Sequence, residues 1–531
     1  MYLAMDMGTS STRLWLCDGD SLLGEKKARF GASLGLREKK EALFERLRAL
    51  ISELLSENNA SEKDVEFLIG SGMAGCEFAL CEVEHLTVPS DAYSLSEGIK
   101  SVKIPEIADF PFLIVPGLKT TLEDKVLDIM RGEETETLGI IEKGNLKLPS
   151  ILVLPGTHNK IIEIDEKGKI TDFHTTMSGE ILDLTVRESI LKNSLSHDFD
   201  VSEHYVHLGA EYSQRNGVNA ALFRIRTLSK SGLSEAELSS FLYGAVIGQD
   251  LELIRKFAKG KAIYVGGSKN LKKAYCLLLE NDGAYPLGEE LSSNAVRLGL
   301  NRITKIFRLR NEQDKIRDLI ENTKVIAIIR NPDEKTLIDA AEALYKGGIR
   351  LLEVTFDRQL KTSAEKTCEL ISKLCQRFRG RMYVGAGTVT DCSLVRLAVN
   401  AGASFIISPN CDRDVISLTK NLGAVSIPAA YTPTEITEAL NFGADYVKLF
   451  PADDVSREYV KAVTAPLSDA KLIAVGGVTP DNAGKFIENG FIGVGVGSNL
   501  YDKKLIAQKD FDALTDLAKS FSSAINGTKE N

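Results

Sequence analysis

Short apolar runs alternate with helix-patterned stretches through the last third of the chain. We predict a strand at each of the runs 324–330, 349–356, 382–389, 405–409, 425–430, 446–451, 471–478 and 492–498. Strands that alternate with helices pair in parallel through right-handed crossovers. Eight such units predict a closed (β/α)8 TIM barrel. An open doubly wound sheet is the alternative.

The first 300 residues show a weak internal repeat, in which each copy reads strand, small-residue turn, strand, hairpin and strand. The copies cover 2–30 and 151–173. Their turns align as Gly-Thr-Ser at 8–10 and Gly-Thr-His at 156–158. Two similar lobes with turns of this kind predict a cleft between them.

Residues 301–324 contain no Gly or Pro and are rich in charge. We therefore predict a semi-rigid helical connector there, with the boundary at Leu309. The chain then has two α/β parts, 1–309 and 310–531, and the first part has lobes at roughly 1–115 and 116–300.

Composition excludes several functional classes. The chain has 65 Lys and Arg against 74 Asp and Glu, a formal charge of −9, and no basic arm, so we expect no nucleic-acid partner. No apolar run approaches the roughly 20 residues of a membrane span, and the first residues lack the features of a signal peptide. Eight Cys without a C-x-x-C pair are typical of the reducing cytoplasm.

All six His and the single Trp lie before residue 208. Acid–base chemistry in the last third therefore has to use carboxylates, Lys, Tyr, Ser, Thr or water.

A hydroxyl-rich turn follows the first predicted strand at 6–12. Its backbone N–H groups and hydroxyls can hold phosphate oxygens, and Asp6 can hold Mg²⁺; an ordinary β-turn is the alternative. Three further clusters, at 128–134, 154–160 and 177–180, combine acids, cations and small residues. Together they favour a phosphoryl-transfer cleft, which needs positioning, charge neutralisation and a carboxylate that accepts a proton. No P-loop motif is present.

The ordered motifs DMGTSSTR, DIMRGEE, LPGTHNK and TTMSGE resemble those of the 2-dehydro-3-deoxygalactonokinases. These are sugar-acid kinases with a two-lobed actin/hexokinase-like ATPase fold. The resemblance covers about 1–300 and implies ATP and Mg²⁺, with Glu133 as general base beside Glu134. It implies substrate or phosphate contacts for Arg131 and His158, and Asp6 at the metal. The implied ATP and phosphate contacts are Asp6, Gly8, Thr9, Ser10, Ser11, Thr12, Gly156, Thr157, Gly266 and Gly267.

Two ionisable residues stand inside apolar strands of the last third. Lys448 lies near the end of the sixth predicted strand and Glu353 inside the second, and burying either is costly. Active sites of (β/α)8 barrels form at the carboxyl ends of the strands, and desolvation of an amine leaves it uncharged and nucleophilic. Glu353 is the acid–base candidate. The alternatives are a snorkelling lysine and a structural ion pair between the two.

The ordered motifs GGIRLLEVTF, VGAGTV, FIISP, VKLFPA and AVGGV resemble those of the 2-keto-3-deoxy-6-phosphogluconate and -phosphogalactonate aldolases over about 312–525. These are class I enzymes on a (β/α)8 barrel. The resemblance implies a pyruvyl imine on Lys448, a proton shuttle at Glu353, a carboxylate contact at Thr388 and an anion contact at Arg330. It implies no cofactor beyond the imine. The other implied substrate contacts are Pro409, Val475, Gly476, Gly477, Gly497 and Ser498.

Three positions depart from the aldolase pattern. Asp357 stands where the family often has Arg, and Arg358 follows it. Ala429 replaces the Gly of the usual Ile-Pro-Gly, and Val475 replaces the frequent Thr before Gly-Gly. Val at this place resembles the galactonate branch of the family.

The two resemblances together imply a bifunctional enzyme of sugar-acid catabolism. MgATP would phosphorylate 2-dehydro-3-deoxy-D-galactonate at O6, and the product would be cleaved to pyruvate and D-glyceraldehyde 3-phosphate. Two alternatives remain: the same chemistry on the gluconate epimer, and a first part that senses sugar acid and ATP without catalysis. The aldolase resemblance also implies a homo-oligomer, a trimer in that family.

Overall fold

The computed structural model describes residues 1–123, 125–357, 363–453 and 455–527. The chain divides into two compact units, Met1–Phe307 and Arg308–Asn531. None of the helices in these ranges combines the length and apolarity needed to cross a membrane.

The strands of the first unit are β1 (Tyr2–Met7), β2 (Thr12–Asp18), β3 (Ser21–Ala28), β4 (Leu68–Gly72), β5 (Leu86–Thr87), β6 (Lys100–Val102), β7 (Phe112–Ile114), β8 (Leu118–Leu122), β9 (Lys125–Met130), β10 (Ser150–Leu154), β11 (Asn159–Ile164), β12 (Ile170–Thr176), β13 (Ala262–Val265) and β14 (Ala284–Pro286). Its helices are α1 (Ala32–Glu38), α2 (Lys40–Glu57), α3 (Ala92–Glu97), α4 (Glu133–Lys143), α5 (Ser178–Glu188), α6 (Glu203–Asn216), α7 (Val218–Lys230), α8 (Glu235–Ile247), α9 (Asp250–Ala258) and α10 (Lys269–Leu278). Helix α11 (Glu289–Thr323) begins in this unit.

The two large sheets of the first unit repeat one topology. One has the order β3-β2-β1-β4-β7-β6 and the other β12-β11-β10-β13-β14. In the first sheet, β1 pairs antiparallel with β2 and parallel with β4. In the second sheet, β10 correspondingly pairs antiparallel with β11 and parallel with β13. Gly19 and Gly168 turn the two hairpins at φ of 55° and 77°, which glycine adopts at little cost. The internal repeat predicted from the sequence is therefore present.

One hydrophobic core joins the two sheets. Ala4 and Trp15 from the first sheet pack in the same cluster as Leu152 and Ile162 from the second, together with residues of α4 and α11. Trp15 is 2% exposed. The two lobes are thus built around a shared apolar layer.

The strands of the second unit are β15 (Val325–Ile329), β16 (Leu351–Thr355), β17 (Tyr383–Gly387), β18 (Phe405–Ile407), β19 (Val425–Ile427), β20 (Ala429–Ala430), β21 (Val447–Leu449), β22 (Leu472–Val475) and β23 (Gly493–Val496). Its other helices are α12 (Leu337–Lys346), α13 (Ser363–Arg377), α14 (Cys392–Asn400), α15 (Arg413–Asn421), α16 (Pro433–Asn441), α17 (Arg457–Thr464), α18 (Ala483–Glu488), α19 (Lys503–Ala507) and α20 (Phe511–Asn526).

The nine strands form a nearly closed parallel barrel in the order β19-β18-β17-β16-β15-β23-β22-β21-β20. The two ends of this order, β19 and β20, are separated in the chain only by Pro428. Each predicted strand is present, and the fifth is split because proline has no N–H to donate to a ladder. The arrangement is TIM-barrel-like rather than an open doubly wound sheet.

The end of α11 does more than connect. Its Ile316 and Ile320 lie in the apolar cluster that fills the barrel interior with Leu351 and Tyr446. Arg317 forms an ion pair with Asp445, with 2.7 Å between Nη2 and Oδ1. Residues 301–324 were predicted as a connector because their charges suggested a solvated helix, whereas two isoleucines on one helix face close the amino-terminal end of the barrel. The carboxyl ends of the strands remain for a site.

Candidate functional site

A cavity of about 1020 Å³ opens in the first unit. It is lined by residues of both predicted glycine turns. Of the predicted site residues, those in its wall are Asp6, Gly8, Thr9, Arg131, Glu133, Gly156, Thr157, His158 and Gly267. The sequence motifs, which lie up to 261 positions apart between Asp6 and Gly267, therefore meet at one cavity.

Four predicted phosphate contacts lie outside this wall: Ser10, Ser11, Thr12 and Gly266. Thr12 is 1% exposed, and its hydroxyl donates a hydrogen bond of 2.8 Å to the carbonyl oxygen of Phe30. Gly266 packs against the side chain of Leu154. These two residues support the shape of the turns instead of presenting groups to the cavity.

Each glycine turn is closed by the start of a helix. In the first turn, the Ala32 and Ser33 amides donate to the carbonyl oxygens of Gly8 and Thr9, each at 3.0 Å. A Cβ at Gly31, just before α1, would overlap the Gly8 carbonyl oxygen. In the second turn, a Cβ at Gly179, in the first turn of α5, would overlap the Gly156 carbonyl oxygen. The repeat thus includes the helix that follows each set of three strands.

Among the described residues, six acids line the cavity, and three of them, Asp6, Glu133 and Glu136, interact electrostatically. Asp6 lies in β1, and Glu133 and Glu136 lie three positions apart on α4, hence on one helix face. Burial raises the pKa of Asp6 and of Glu133, against the nearby charges of Arg13 and Lys160 respectively. Burial, followed by repulsion from Glu133 and Asp6, raises the pKa of Glu136 to about 8. Glu136 was not predicted from the sequence, although its spacing of three positions from Glu133 was the available signal.

Glu134 turns away from the cavity. It is fully buried, and its carboxylate accepts hydrogen bonds from the Gly132 amide at 2.7 Å and the Thr135 hydroxyl at 3.1 Å. Burial and the neighbouring Glu133 raise its pKa to about 7. Of the two adjacent acids, Glu133 is therefore the one placed for chemistry in the cavity.

A cationic corner lies in the same cavity. Nη2 of Arg131 donates a hydrogen bond of 2.7 Å to the carbonyl oxygen of Val83 and lies 3.2 Å from Nδ1 of His85. Burial, then the charges of Arg131 and Lys119, lower the pKa of His85 to about 4, so this imidazole is neutral near pH 7. Because a guanidinium only donates, Nδ1 of His85 accepts. Arg131 Nη1 has no hydrogen-bond partner in the described residues.

His158 lies at the rim of the cavity instead. Its Nε2 is 3.0 Å from Glu180, and its side chain is 52% exposed. Arg131 and His158 are both predicted contacts of the substrate carboxylate or the transferring phosphate, and the structure places them in different surroundings. Arg131 is the more desolvated of the two.

The barrel interior holds the predicted amine and carboxylate. Glu353 follows Leu351 by two positions on β16, and Lys448 follows Tyr446 by two positions. Residues two positions apart in a strand lie on the same face, so both point toward the interior where Leu351 and Tyr446 pack. Glu353 is 2% exposed, and its Oε2 has no hydrogen-bond partner among the described residues. Nζ of Lys448 lies 4.8 Å from the centre of the Phe450 ring.

Burial dominates the electrostatics of this pair. It lowers the pKa of the Lys448 amine, while the charge of Glu353 opposes that change. It raises the pKa of the Glu353 carboxyl, which Lys448 and Arg330 oppose. Lys448 is thus partly buried, and the charges of Lys448 and Glu353 each affect the pKa of the other.

A second cavity, of about 340 Å³, lies at the barrel mouth. It brings together six predicted substrate contacts: Arg330, Val475, Gly476, Gly477, Gly497 and Ser498. Tyr501 and Lys503 also line it, and neither was predicted from the sequence. The Asp453 side chain lies against Gly476 and Gly477, so an anion bound there has a carboxylate nearby as well as Arg330 and Lys503.

Lys448, Glu353, Thr388 and Pro409 lie outside the wall of this second cavity. Thr388 directly follows β17 with φ of 59°, a left-handed conformation that is costly for a β-branched residue and is found mostly at functional sites. A Cβ at Gly387 would overlap the Glu353 carboxylate. Arg358, which follows Asp357 at the place where the family often has Arg, lies outside the described residues.

Comparison with known proteins divides the chain in the same way. The family model for 2-keto-3-deoxy-galactonokinase matches residues 6–303, and the model for KDPG and KHG aldolase matches residues 316–517. The 2-dehydro-3-deoxygalactonokinase of Escherichia coli (strain K12) is 28% identical over 258 residues, which are 48% of this chain and 81% of the relative.

The aldolase relatives carry both epimer names. The 2-dehydro-3-deoxy-6-phosphogalactonate aldolase of Escherichia coli (strain K12) is 30% identical over 203 residues, which are 38% of this chain and 96% of the relative. The 2-dehydro-3-deoxy-phosphogluconate aldolase of Pseudoalteromonas atlantica is 30% identical over 203 residues, 38% of this chain and 91% of the relative. The chain therefore belongs to the 2-keto-3-deoxy-galactonokinase family through residues 6–303 and to the KDPG and KHG aldolase family through residues 316–517.

Proposed function

We propose that this bifunctional enzyme phosphorylates 2-dehydro-3-deoxy-D-galactonate at O6 with MgATP and then cleaves the 6-phosphate to pyruvate and D-glyceraldehyde 3-phosphate. We assign the kinase to 1–309 and the aldolase to 310–531. The observation that carries the proposal is the desolvated Lys448 amine beside Glu353 in one unit, with the acid-lined cavity between two glycine turns in the other.

The kinase unit has the features of a two-lobed actin/hexokinase-like ATPase. Support for this fold comes from the two sheets, in which five strands follow a corresponding order and one sheet has a sixth strand, and from the turn at the corresponding place in each. In such a fold the nucleotide phosphates lie between the two turns. We assign Gly8 and Thr9 to one side of the phosphates and Gly156 and Thr157 to the other, with Gly267 toward the adenosine.

The acids of the cavity suit Mg²⁺ bound together with ATP. Within the described ranges, no three His, Cys, Asp or Glu side chains are arranged to hold a metal by themselves. Mg²⁺ prefers one or two carboxylates with substrate phosphates and water, and the crowding that raises the pKa of Glu136 would be relieved by a cation. Asp6 would hold this ion, which would neutralise charge on the transferring phosphoryl group.

Glu133 is the general base in this proposal. Its Oε2 accepts the Arg131 amide hydrogen at 3.1 Å, which orients the carboxylate at the start of α4. A raised pKa makes a carboxylate a better proton acceptor. Glu133 would take the proton of the O6 hydroxyl as the oxygen attacks phosphorus, while Arg131 and His158 hold the carboxylate of the sugar acid or the phosphoryl group.

Lys448 supplies covalent catalysis in the aldolase unit. The neutral amine attacks the C2 ketone and loses water to form an imine. As the C3–C4 bond breaks, its electron pair enters the imine to give an enamine, and the C4 hydroxyl becomes the aldehyde. The proton of this hydroxyl passes through water to Glu353 in this proposal. Protonation of the enamine at C3 and hydrolysis then release pyruvate.

The remaining aldolase contacts bind the ends of the substrate. We assign the pyruvyl carboxylate to Thr388, whose left-handed backbone presents it at the end of β17, with Pro409 on the next loop. The backbone of Gly476, Gly477, Gly497 and Ser498 would hold the phosphate, with Arg330 and Lys503 lining the same cavity. Val475 faces the substrate beside the two glycines.

A coupled assay tests both steps. Pyruvate release from the keto acid should require MgATP, and both Glu133→Gln and Lys448→Met should abolish it. Given the phosphorylated acid, Glu133→Gln should release pyruvate at the normal rate.

Borohydride should trap pyruvate on the unaltered protein but not on Lys448→Met. Matched controls are Glu142→Gln on the exposed side of α4 and Lys471→Met on the barrel surface. Full activity of either active-site variant would refute its assignment.

Two alternatives have direct tests. The galactonate assignment rests on the kinase family match, and cleavage rates of the two purified C4 epimers would decide between them. A non-catalytic sensing module would bind ATP without consuming it in the presence of the keto acid. From the aldolase family we also infer a homo-oligomer, which light scattering of the full chain measures.

A further inference from the structure

A buried carboxylate lies behind the second glycine turn. Asp250, the first residue of α9, is 4% exposed. It accepts hydrogen bonds from the Ser178 hydroxyl at 2.9 Å, the Thr176 hydroxyl at 3.1 Å and Nδ2 of Asn159 at 3.2 Å. The hydroxyl of Tyr275 donates to it as well. All four partners are uncharged, so a costly buried charge is satisfied by neutral donors alone.

Asn159 connects this carboxylate to the turn. It is fully buried, and its Nδ2 donates to Asp250 and, at 2.6 Å, to the Tyr275 hydroxyl. With its amino group directed to these two oxygens, the amide must present Oδ1 on the opposite side. There Oδ1 accepts the Gly156 amide hydrogen at 3.1 Å. The orientation of the Asn159 amide, and with it the Gly156 backbone, therefore depends on Asp250.

The same carboxylate holds the other border of the turn. Ser178 is the first residue of α5 and directly precedes Gly179, which packs against the Gly156 carbonyl oxygen. Thr176 ends β12. Asp250 thus ties together the start of β11, the end of β12 and the start of α5, the three segments that enclose 155–158. This gives the motif TTMSGE a role that the catalytic assignments leave open.

We propose that Asp250 is a positioning residue for phosphoryl transfer, which acts through Asn159 and Ser178 to hold the second glycine turn in the shape that receives the nucleotide phosphates. Asp250 itself touches no substrate in this proposal. The inference rests on the proposed kinase function of the first unit.

The test compares Asp250→Asn, Tyr275→Phe and Asn159→Ala in the full chain. Asp200→Asn and Tyr285→Phe, at exposed positions of the same unit, are the matched controls. Because misplacement of a binding group by about 1 Å costs up to about 100-fold, we expect about 10- to 100-fold lower kcat/KM for MgATP in the three variants. The KM for the sugar acid should stay within about twofold. Pyruvate release from the phosphorylated acid, catalysed by the other unit, measures the amount of intact chain, and the emission of buried Trp15 verifies that the first unit is folded.

Nucleotide binding distinguishes positioning from general damage. ADP should bind at least about 10-fold more weakly to the variants, and AMP, which has fewer phosphate groups, should bind nearly as it does to the unaltered chain. Equal losses for AMP and ADP, or no loss of ADP affinity, would overturn the inference. If Asp250→Asn does not fold, Tyr275→Phe decides, because phenylalanine fills nearly the same space and removes only one donor. If the unaltered chain consumes no ATP with the keto acid, the proposed function fails, whatever the variants do.

Discussion

Individual ionisable residues in this protein were predictable where their burial is visible in the sequence. Lys448 and Glu353 each interrupt an apolar strand, and a buried charge has few explanations other than pairing or chemistry. Glu136, Asp250 and Tyr501 gave no such signal because they stand in helical or loop stretches where polar residues are common. Only the fold brings them to the cavities or behind the glycine turn.

The aldolase pair predicts a pH effect at the residue scale. Glu353→Gln removes the charge that opposes the lowering of the Lys448 pKa by burial. We therefore expect imine formation with pyruvate, trapped by borohydride, to begin at lower pH than in the unaltered enzyme. Cleavage should slow by about 10²- to 10⁴-fold because the proton shuttle is lost. Glu438→Gln, an exposed acid of the same unit, is the control. A trapping profile that is unchanged or moves to higher pH would contradict the assignment.

Glu134 predicts a pH effect on stability. Its pKa is raised by burial to about 7 in the folded protein, whereas an unfolded glutamate ionises near 4.3. Because Glu134 ionises more readily in the unfolded chain, the free energy of unfolding falls as pH rises from about 4.3 toward about 7. Above about pH 7 this loss of stability no longer changes with pH.

Replacing Glu134 by Gln should remove this cost. We expect Glu134→Gln to stabilise the kinase unit by about 3–4 kcal/mol at pH 8 and by about 1 kcal/mol at pH 5. Denaturant unfolding at the two pH values measures the difference, with Glu142→Gln as the exposed control on α4. An equal effect at both values would show that the folded carboxyl titrates normally.

At the scale of elements, periodicity predicted the architecture well. The eight barrel strands and the repeated three-strand units of the kinase appear where alternation and turn residues placed them. Two features were not predictable from local pattern. The end of α11 enters the barrel because packing selects two apolar positions in a charged segment. The helices α1 and α5 close on the glycine turns through contacts between residues distant in sequence.

The contact between α5 and the second turn predicts a strong effect of one methyl group. In Gly179→Ala, the new Cβ would overlap the Gly156 carbonyl oxygen, so the turn or the helix has to move. We expect kcat/KM for MgATP to fall by about 10- to 100-fold with aldolase activity unchanged. Gly288→Ala is the matched control, since a Cβ there meets nothing within 4 Å. Normal kinase activity of Gly179→Ala would show that the turn tolerates displacement.

At the scale of the whole molecule, two separate compact units carry consecutive reactions. The change in motif types predicted this organisation from the sequence, since each set of motifs is confined to one part of the chain. The two family models match those same parts. Consecutive steps in one chain do not require direct transfer of the intermediate.

Mixing two inactive chains tests transfer through solution. Glu133→Gln retains the aldolase and Lys448→Met retains the kinase, so we expect their mixture to release pyruvate from keto acid and MgATP after a lag. The lag should shorten when the Lys448→Met chain is in excess, since it supplies the phosphorylated acid. Each chain assayed alone for its remaining activity is the control. A mixture that releases no pyruvate, although both controls are active, would demonstrate that the intermediate does not leave the chain.

Trp15 gives this chain a built-in optical reporter. Its indole is 2% exposed in the layer shared by the two kinase sheets, and the chain has one Trp. Emission excited selectively from indole therefore monitors melting of the kinase alone, while circular dichroism sums both units. Comparing the two signals during one titration would reveal whether the fused enzyme denatures in a single event or in two, without cutting the polypeptide or adding a dye.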